Sequence, residues 1–235
     1  MRKLVFSFLI FIFSFSVLAN DLNNLVYRAD KRNPETVKNA KGFYPRGVNG
    51  SQPFAPPSDI NLWEHVIDIN LWEHVEGVRG GYISTTTSQD VAIRWNHNGY
   101  VYHIRTTPNF IDVNATLREY SPFPEQFELA ALGGVRWEQV VGWEVVINGN
   151  IVGEFIPNPD YNDRLYGNFA PSGAQPQLAG FPDDHKAWNY EPWVAFASCE
   201  LKSACSPNKS AQEFGTDWFW QSYQPVIATV VAVLD

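Results

Sequence analysis

An α+β architecture of mostly antiparallel strands and short helices is what this sequence predicts, and three local patterns predict it. Short helical segments carry their own capping residues, other segments alternate in hydrophobicity as strands do, and two of those are joined by a two-residue Asn-Gly turn.

Asn33 caps the first helix and Pro34 opens it, because the first turn leaves unpaired the N–H that proline lacks; Gly42 is a fitting stop. Ser58 or Asp59, after Pro56-Pro57, caps a second helix through Leu62-Trp63-Glu64-His65. Ser88 caps a third, from Asp90 to Trp95. Tyr100-Val101-Tyr102-His103-Ile104-Arg105 alternates as a strand. Val140 to Ile147, the turn Asn148-Gly149 and Ile151 to Ile156 form a hairpin, since Asn-Gly accepts the left-handed backbone such turns require. Residues 157–192 are rich in Pro, Asn, Asp and Gly and read as irregular packing around a core. The run from Val226 to Leu234 reads as a strand or an apolar plug, too short to span a bilayer.

One repeat interrupts this order. Residues 59–67 (Asp-Ile-Asn-Leu-Trp-Glu-His-Val-Ile) are followed at once by residues 68–76 with nearly the same sequence. Nine helical residues turn through about 900°, half a turn out of phase, so both copies cannot bury the same face of one helix. The first copy has the caps. The second is then either a lid over the site or a tolerated duplication.

Met1-Arg2-Lys3, the Phe/Ile/Leu run from Leu4 to Val17 and the small-residue exit Val17-Leu18-Ala19 read as a secretory signal over residues 1–19, cleaved after Ala19. Its removal moves the formal charge from −8 to −10, with 15 basic against 25 acidic residues, which argues against a nucleic-acid partner. No other stretch is long and apolar enough to span a membrane. The histidines and cysteines show no zinc spacing, so no metal is expected. In an exported chain, Cys199 and Cys205 read as a disulfide rather than two free thiols.

Three strings carry chemistry: Tyr27-Arg28-Ala29-Asp30, Tyr82-Ile83-Ser84-Thr85-Thr86 and Gln126-Phe127-Glu128. A guanidinium can hold a pyrophosphate, hydroxyls on a strand can shape a cleft, and a carboxylate can face the positive charge that develops when a glycosidic bond breaks. Each string alone is weak; their order and flanks are specific. With Tyr44-Pro45-Arg46-Gly47, Ile60-Asn61-Leu62-Trp63-Glu64-His65, Tyr120-Ser121-Pro122, Ala131-Leu132-Gly133-Gly134, Leu178-Ala179-Gly180-Phe181-Pro182 and Glu191-Pro192-Trp193, they make the chain from about Leu25 to Cys199 resemble the catalytic chains of cholera toxin and the heat-labile enterotoxins, an NAD-dependent ADP-ribosyltransferase family.

That resemblance implies the toxin fold with a split NAD cleft, a catalytic domain over residues 20–199, and a disulfide-tethered C-terminal segment over residues 200–235. It implies that NAD is the substrate; that Arg28 holds a phosphate or ribose oxygen with Asp30 beside it; that Thr85 and Thr86 close the cleft floor; that Ser84 orients Glu128; and that a histidine assists. The repeat offers His65 and His74 for this role, and the spacing to Ser84 favours His65. In the family such a cystine brackets a proteolytic nick, and Lys202 lies inside this one; a plain loop staple is the other reading. Secretion, action in a host cell on a host protein, and a receptor-binding B oligomer are implied too. The chain departs from the enterotoxins at Gln126, where arginine-directed members present Glu-x-Glu; Gln-x-Glu marks asparagine-, cysteine- and nucleobase-directed members and the catalytic chain of pertussis toxin. A host protein modified away from arginine, such as a heterotrimeric G protein α subunit, is therefore expected. Arginine-specific transfer, NAD glycohydrolysis and an inactive binding module are the alternatives.

Overall fold

A computed structural model of the chain describes residues 24–45, 55–68, 80–199, 205–224 and 226–227. The leader, the second copy of the repeat beyond Asp68 and Lys202 lie outside the described residues.

The strands are β1 (Leu25–Asp30), β2 (Gly42–Phe43), β3 (Tyr82–Thr86), β4 (Gly99–Arg105), β5 (Phe110–Asp112), β6 (Glu128–Leu132), β7 (Val135–Arg136), β8 (Val140–Ile147), β9 (Asn150–Pro157), β10 (Ala197–Cys199) and β11 (Cys205–Pro207). The helices are α1 (Pro34–Asn39), α2 (Leu62–Asp68), α3 (Gln89–Trp95), α4 (Val113–Leu117), α5 (Asp163–Tyr166) and α6 (Ala211–Trp218). Seven strands form one sheet in the order β5-β6-β3-β1-β4-β8-β9, and every pair in it is antiparallel. The predicted α+β class is what the chain adopts.

The local signals act as expected. Asn33 accepts from Thr36 N at 2.8 Å to cap α1, Ser88 caps α3, and Asn148-Gly149 turns the β8–β9 hairpin with both residues at positive φ. Two details differ. Helix α2 begins later than predicted and takes its cap from Asn61, whose Oδ1 accepts from Glu64 N at 3.0 Å, in place of Ser58 or Asp59. Val226 and Ile227 are helical, not extended, and Ile227 is buried in the main core; the packing of its apolar side chain overrides β-branched propensity.

The sheet is parted at its centre. β1 pairs β4 along six residues, whereas it meets β3 at one pair only, Tyr27↔Thr86. Strand alternation then divides the core between the two faces. Tyr82, Ala130 and Leu132 pack with Leu62 and Val66 of α2, Trp188, Trp193 and the C-terminal Trp218, Phe219 and Tyr223. Ile83, Leu129 and Ala131 pack with Val26, Phe43, Tyr102 and Val135.

The segment after the cystine is part of this core. The amide of Gln212 on α6 accepts from Ile60 N at 2.8 Å and donates to Pro57 O at 2.9 Å, and Gly215 leaves room for the Ile60 side chain, which a Cβ there would meet at 2.3 Å. Cys199 and Cys205 are disulfide-bonded and pair across β10 and β11.

Candidate active site

The site is assembled where β1 and β3 part. The register between β3 and β6 sets Thr86 opposite Glu128 and Ser84 opposite Ala130, so Ser84, Thr86 and Glu128 share one face. Against that face packs α2, anchored by buried Leu62 and Val66, and it delivers His65. His65 Nε2 stands 3.1 Å from Glu128 Oε1 and 3.2 Å from Ser84 Oγ, and its ring lies 5.4 Å from that of Tyr82. An ionised carboxylate only accepts, so the bond to Glu128 places a proton on Nε2. Glu128 is 3% exposed, and its charge acts in a medium far less screening than water.

His65 therefore stands between two residues expected to bond each other. Both meet it at the same atom: with the Nε2 proton directed to Glu128 Oε1, Ser84 Oγ can only share that proton, since a protonated Nε2 has no lone pair to accept from the hydroxyl. Sequence spacing favoured His65 over His74, and the structure brings His65 to both partners. Among the described residues Ser84 and Glu128 make no direct hydrogen bond; each meets His65 Nε2 instead.

On the other side of the gap, Arg28 Nη1 donates to Ser84 O at 2.8 Å and Nη2 lies 3.7 Å from Asp30 Oδ2. Its Nε is buried and has no hydrogen-bond partner among the described residues, which leaves donor capacity for an anionic substrate. Burial pushes the Arg28 guanidinium below its ordinary pKa, opposed chiefly by the charge of Asp30. Asp30 is held in turn by Arg32, which donates from Nε at 3.0 Å, from Nη2 at 2.7 Å and from its backbone N at 2.9 Å. Burial alone would raise the Asp30 carboxyl, but the Arg32 hydrogen bonds and the Arg28 charge outweigh it and hold it below its ordinary range. Both guanidiniums lie over the Phe43 ring, at 5.5 and 5.3 Å.

Thr85 and Thr86 have unlike roles. Thr85 points to the opposite face from Ser84, is fully buried, and donates to Leu129 O at 2.5 Å, so it braces β3 against β6 instead of lining the cleft floor. Thr86 donates to Gln126 O at 2.7 Å and holds the turn before Glu128. In that turn Gln126 N donates to Phe123 O at 3.0 Å, and Thr87 N donates to Phe127 O at 3.2 Å. Gln126 is half-buried; Glu125 is exposed.

Sequence reading missed Arg32 and Phe43. The available signal was a second arginine four residues after Arg28 with an aspartate between them. Among the described residues no group of three or more His, Cys, Asp or Glu could hold a metal ion, and no helix is long and apolar enough to cross a membrane.

Taken together, a positive group that can bind phosphate lies across a gap from a buried, histidine-held carboxylate. That arrangement suits cleavage of a dinucleotide at a ribose C1′, where positive charge develops.

The family profile described as heat-labile enterotoxin alpha chain matches residues 2–223. The heat-labile enterotoxin IIA A chain of Escherichia coli is 38% identical over 218 residues, covering 88% of this chain and 80% of that one. The cholera enterotoxin A-type subunit of Vibrio cholerae is 38% identical over 206 residues, covering 84% and 78%. The NAD(+)–arginine ADP-ribosyltransferase Chelt of Vibrio cholerae is 36% identical over 204 residues; the match takes in 83% of this chain and only 33% of Chelt. Among solved structures, a double mutant of heat-labile enterotoxin superposes with a TM-score of 0.70 at 30% identity, covering 89% of this chain and 96% of that one.

Proposed function

The chain belongs to the heat-labile enterotoxin alpha chain family of NAD-dependent ADP-ribosyltransferase toxins, and from that premise we propose that it transfers ADP-ribose from NAD to a host protein at a residue other than arginine. A cysteine or an asparagine is the acceptor side chain, and a heterotrimeric G protein α subunit is the candidate protein. Arg28 and Asp30 take the phosphate and ribose side of NAD, with the spare donor of Arg28 as support. Ser84 and His65 hold Glu128 beside the nicotinamide ribose. The bond from C1′ to the nicotinamide nitrogen breaks, and neutral nicotinamide leaves with the electron pair. The acceptor atom then bonds to C1′ and releases its proton to solvent.

The observation that carries the choice of acceptor is Gln126. Its backbone is held on two sides, by Thr86 and by Phe123, which supports the alignment that sets Gln126 two residues ahead of Glu128. An amide can position an acceptor by hydrogen bonds but cannot supply the negative charge that attracts and helps deprotonate a guanidinium. Chelt is named as an NAD(+)–arginine ADP-ribosyltransferase, so the proposal separates this chain from that relative.

Secretion through the N-terminal leader and delivery by a B oligomer belong to the same proposal, as does the division into residues 20–199 and a tethered segment 200–235. Labelled NAD, purified protein and host-cell lysate test the acceptor: the expected result is label on a protein, with peptide mass spectrometry placing it on cysteine or asparagine. Label on arginine refutes the acceptor assignment. Free ADP-ribose with no labelled protein identifies a glycohydrolase, and modified guanine nucleotides would move the substrate class to nucleobases.

A further inference from the structure

We infer that Glu144, on β8, is a positioning residue for the turn that carries Gln126. By holding the first residue of α3 it sets the corner after β3 to which that turn is bonded, and with it the place of Gln126 during transfer. The inference rests on the reading that the chain transfers ADP-ribose to a protein.

Cross-strand pairing sets Glu128, Thr86, Tyr27 and His103 in one row on one face of the sheet, because directly opposed residues of antiparallel strands share a face. His103 ends that row against a carboxylate. An ionised carboxylate only accepts, so His103 Nε2 donates to Glu144 Oε2, at 2.8 Å, and the histidine ring stands 4.9 Å from Tyr27 on one side and from Phe155 on the other. The same oxygen accepts from Gln89 Nε2. Gln89 opens α3, one residue after its cap Ser88. From there hydrogen bonds lead back to the site: Ser88 N donates to Thr86 Oγ1 at 3.1 Å, Thr86 Oγ1 donates to Gln126 O at 2.7 Å, and Thr87 N donates to Phe127 O at 3.2 Å. Apolar packing already seats α3 on the sheet, through Ala92 and Ile93 against Tyr27, Ala29, Val101 and Val146. A carboxylate that is 16% exposed adds a desolvation cost to that packing, which its two bonds offset. The strands are shaped around it. The β8–β9 register shifts between Trp143 and Val145, so Glu144 has no opposite residue on β9, and the β4–β8 register shifts just past His103. Such bulges re-aim side chains and are frequent beside active sites. Glu128 lies within β6 and is fixed by backbone pairing with β3, whereas Gln126 precedes that strand and depends on the corner. Loss of the Glu144 bonds therefore reaches Gln126 before it reaches Glu128.

The test reads three quantities in the full chain: labelling of proteins in host-cell lysate with labelled NAD, NAD hydrolysis without acceptor, and the thermal midpoint. Glu144→Ala and Gln89→Ala are each expected to lower the ratio of labelling to hydrolysis about tenfold, since a small displacement of an orienting group costs up to about a hundredfold in rate. Hydrolysis is expected to stay within about threefold of the unaltered chain. Glu144→Gln, whose amide oxygen still accepts from Gln89 and His103, is expected to keep the ratio within about threefold. Thr86→Val lowers the ratio as well, and adding Glu144→Ala to it is expected to bring little further loss, because both changes break one chain of bonds. An unchanged ratio in Gln89→Ala overturns the inference, even where Glu144→Ala fails to fold. Hydrolysis and labelling that fall in parallel overturn it too, since the pair would then only stabilise the fold, and so does a fully additive loss in the double variant. An unaltered chain that hydrolyses NAD and labels no lysate protein overturns this inference and the transferase reading together.

Discussion

Replacing Glu128 by Gln removes one charge and little else. The side chain is 3% exposed, and the amide keeps an oxygen where His65 Nε2 can still donate at 3.1 Å. The Arg28 contacts with Ser84 O and Asp30 remain, so NAD binding is expected to survive. What is lost is attraction between a carboxylate and the positive charge forming on the nicotinamide ribose. At about 4 Å and an effective dielectric of about 20, that attraction is about 4 kcal/mol. The amide dipole recovers a part, leaving a loss of about 3 to 4 kcal/mol in the transition state, which is about a hundredfold to a thousandfold in rate. NAD hydrolysis under saturating substrate, followed by release of labelled nicotinamide, measures it: kcat is expected to fall by that factor while KM moves less than about threefold. A kcat within a few-fold of the unaltered chain, or a defect confined to KM, would refute the role of Glu128 as the charge opposite the breaking bond.

Three further outcomes follow from the same geometry. Ser84→Ala removes a hydroxyl that reaches the histidine and not the carboxylate, so kcat is expected to fall about tenfold, the worth of one hydrogen bond of about 1.5 kcal/mol; a loss matching that of Glu128→Gln would place Ser84 on the substrate instead. Asp30 is held below its ordinary pKa of 3.8, so its contribution to stability is full above that value and is lost as pH falls through the lower folded value. The difference in urea midpoint between the unaltered chain and Asp30→Asn is therefore expected at pH 7 and is expected to shrink toward pH 2; a gap that widens on acidification would contradict the ion-pair account. Cleavage within residues 200–204 followed by reduction is expected to leave the C-terminal piece bound, because Trp218, Phe219, Tyr223 and Ile227 lie in the main core. The two pieces are expected to co-elute in native buffer and part in urea, and separation in native buffer would show that the cystine is the main tether.

By itself the sequence determined whatever a few neighbouring residues decide. Asn33-Pro34 starts a helix, Ser88 starts another, and Asn148-Gly149 turns a hairpin, because capping and left-handed turns depend on groups three or four residues apart. Arg28, Ser84 and Glu128 were legible as a set through the order of their strings, and the repeat offered His65 and His74, of which the spacing to Ser84 slightly favoured the first. Only the tertiary structure decided how these residues meet. Helix α2 brought His65 to both Ser84 and Glu128; strand parity turned Thr85 into a brace while Ser84 faced the site; and Gln212 tied the last helix to the segment ahead of α2. Each of these depends on register or on contacts between residues up to 155 positions apart. A one-residue change of register would reverse every one of the strand assignments while leaving the local signals unchanged.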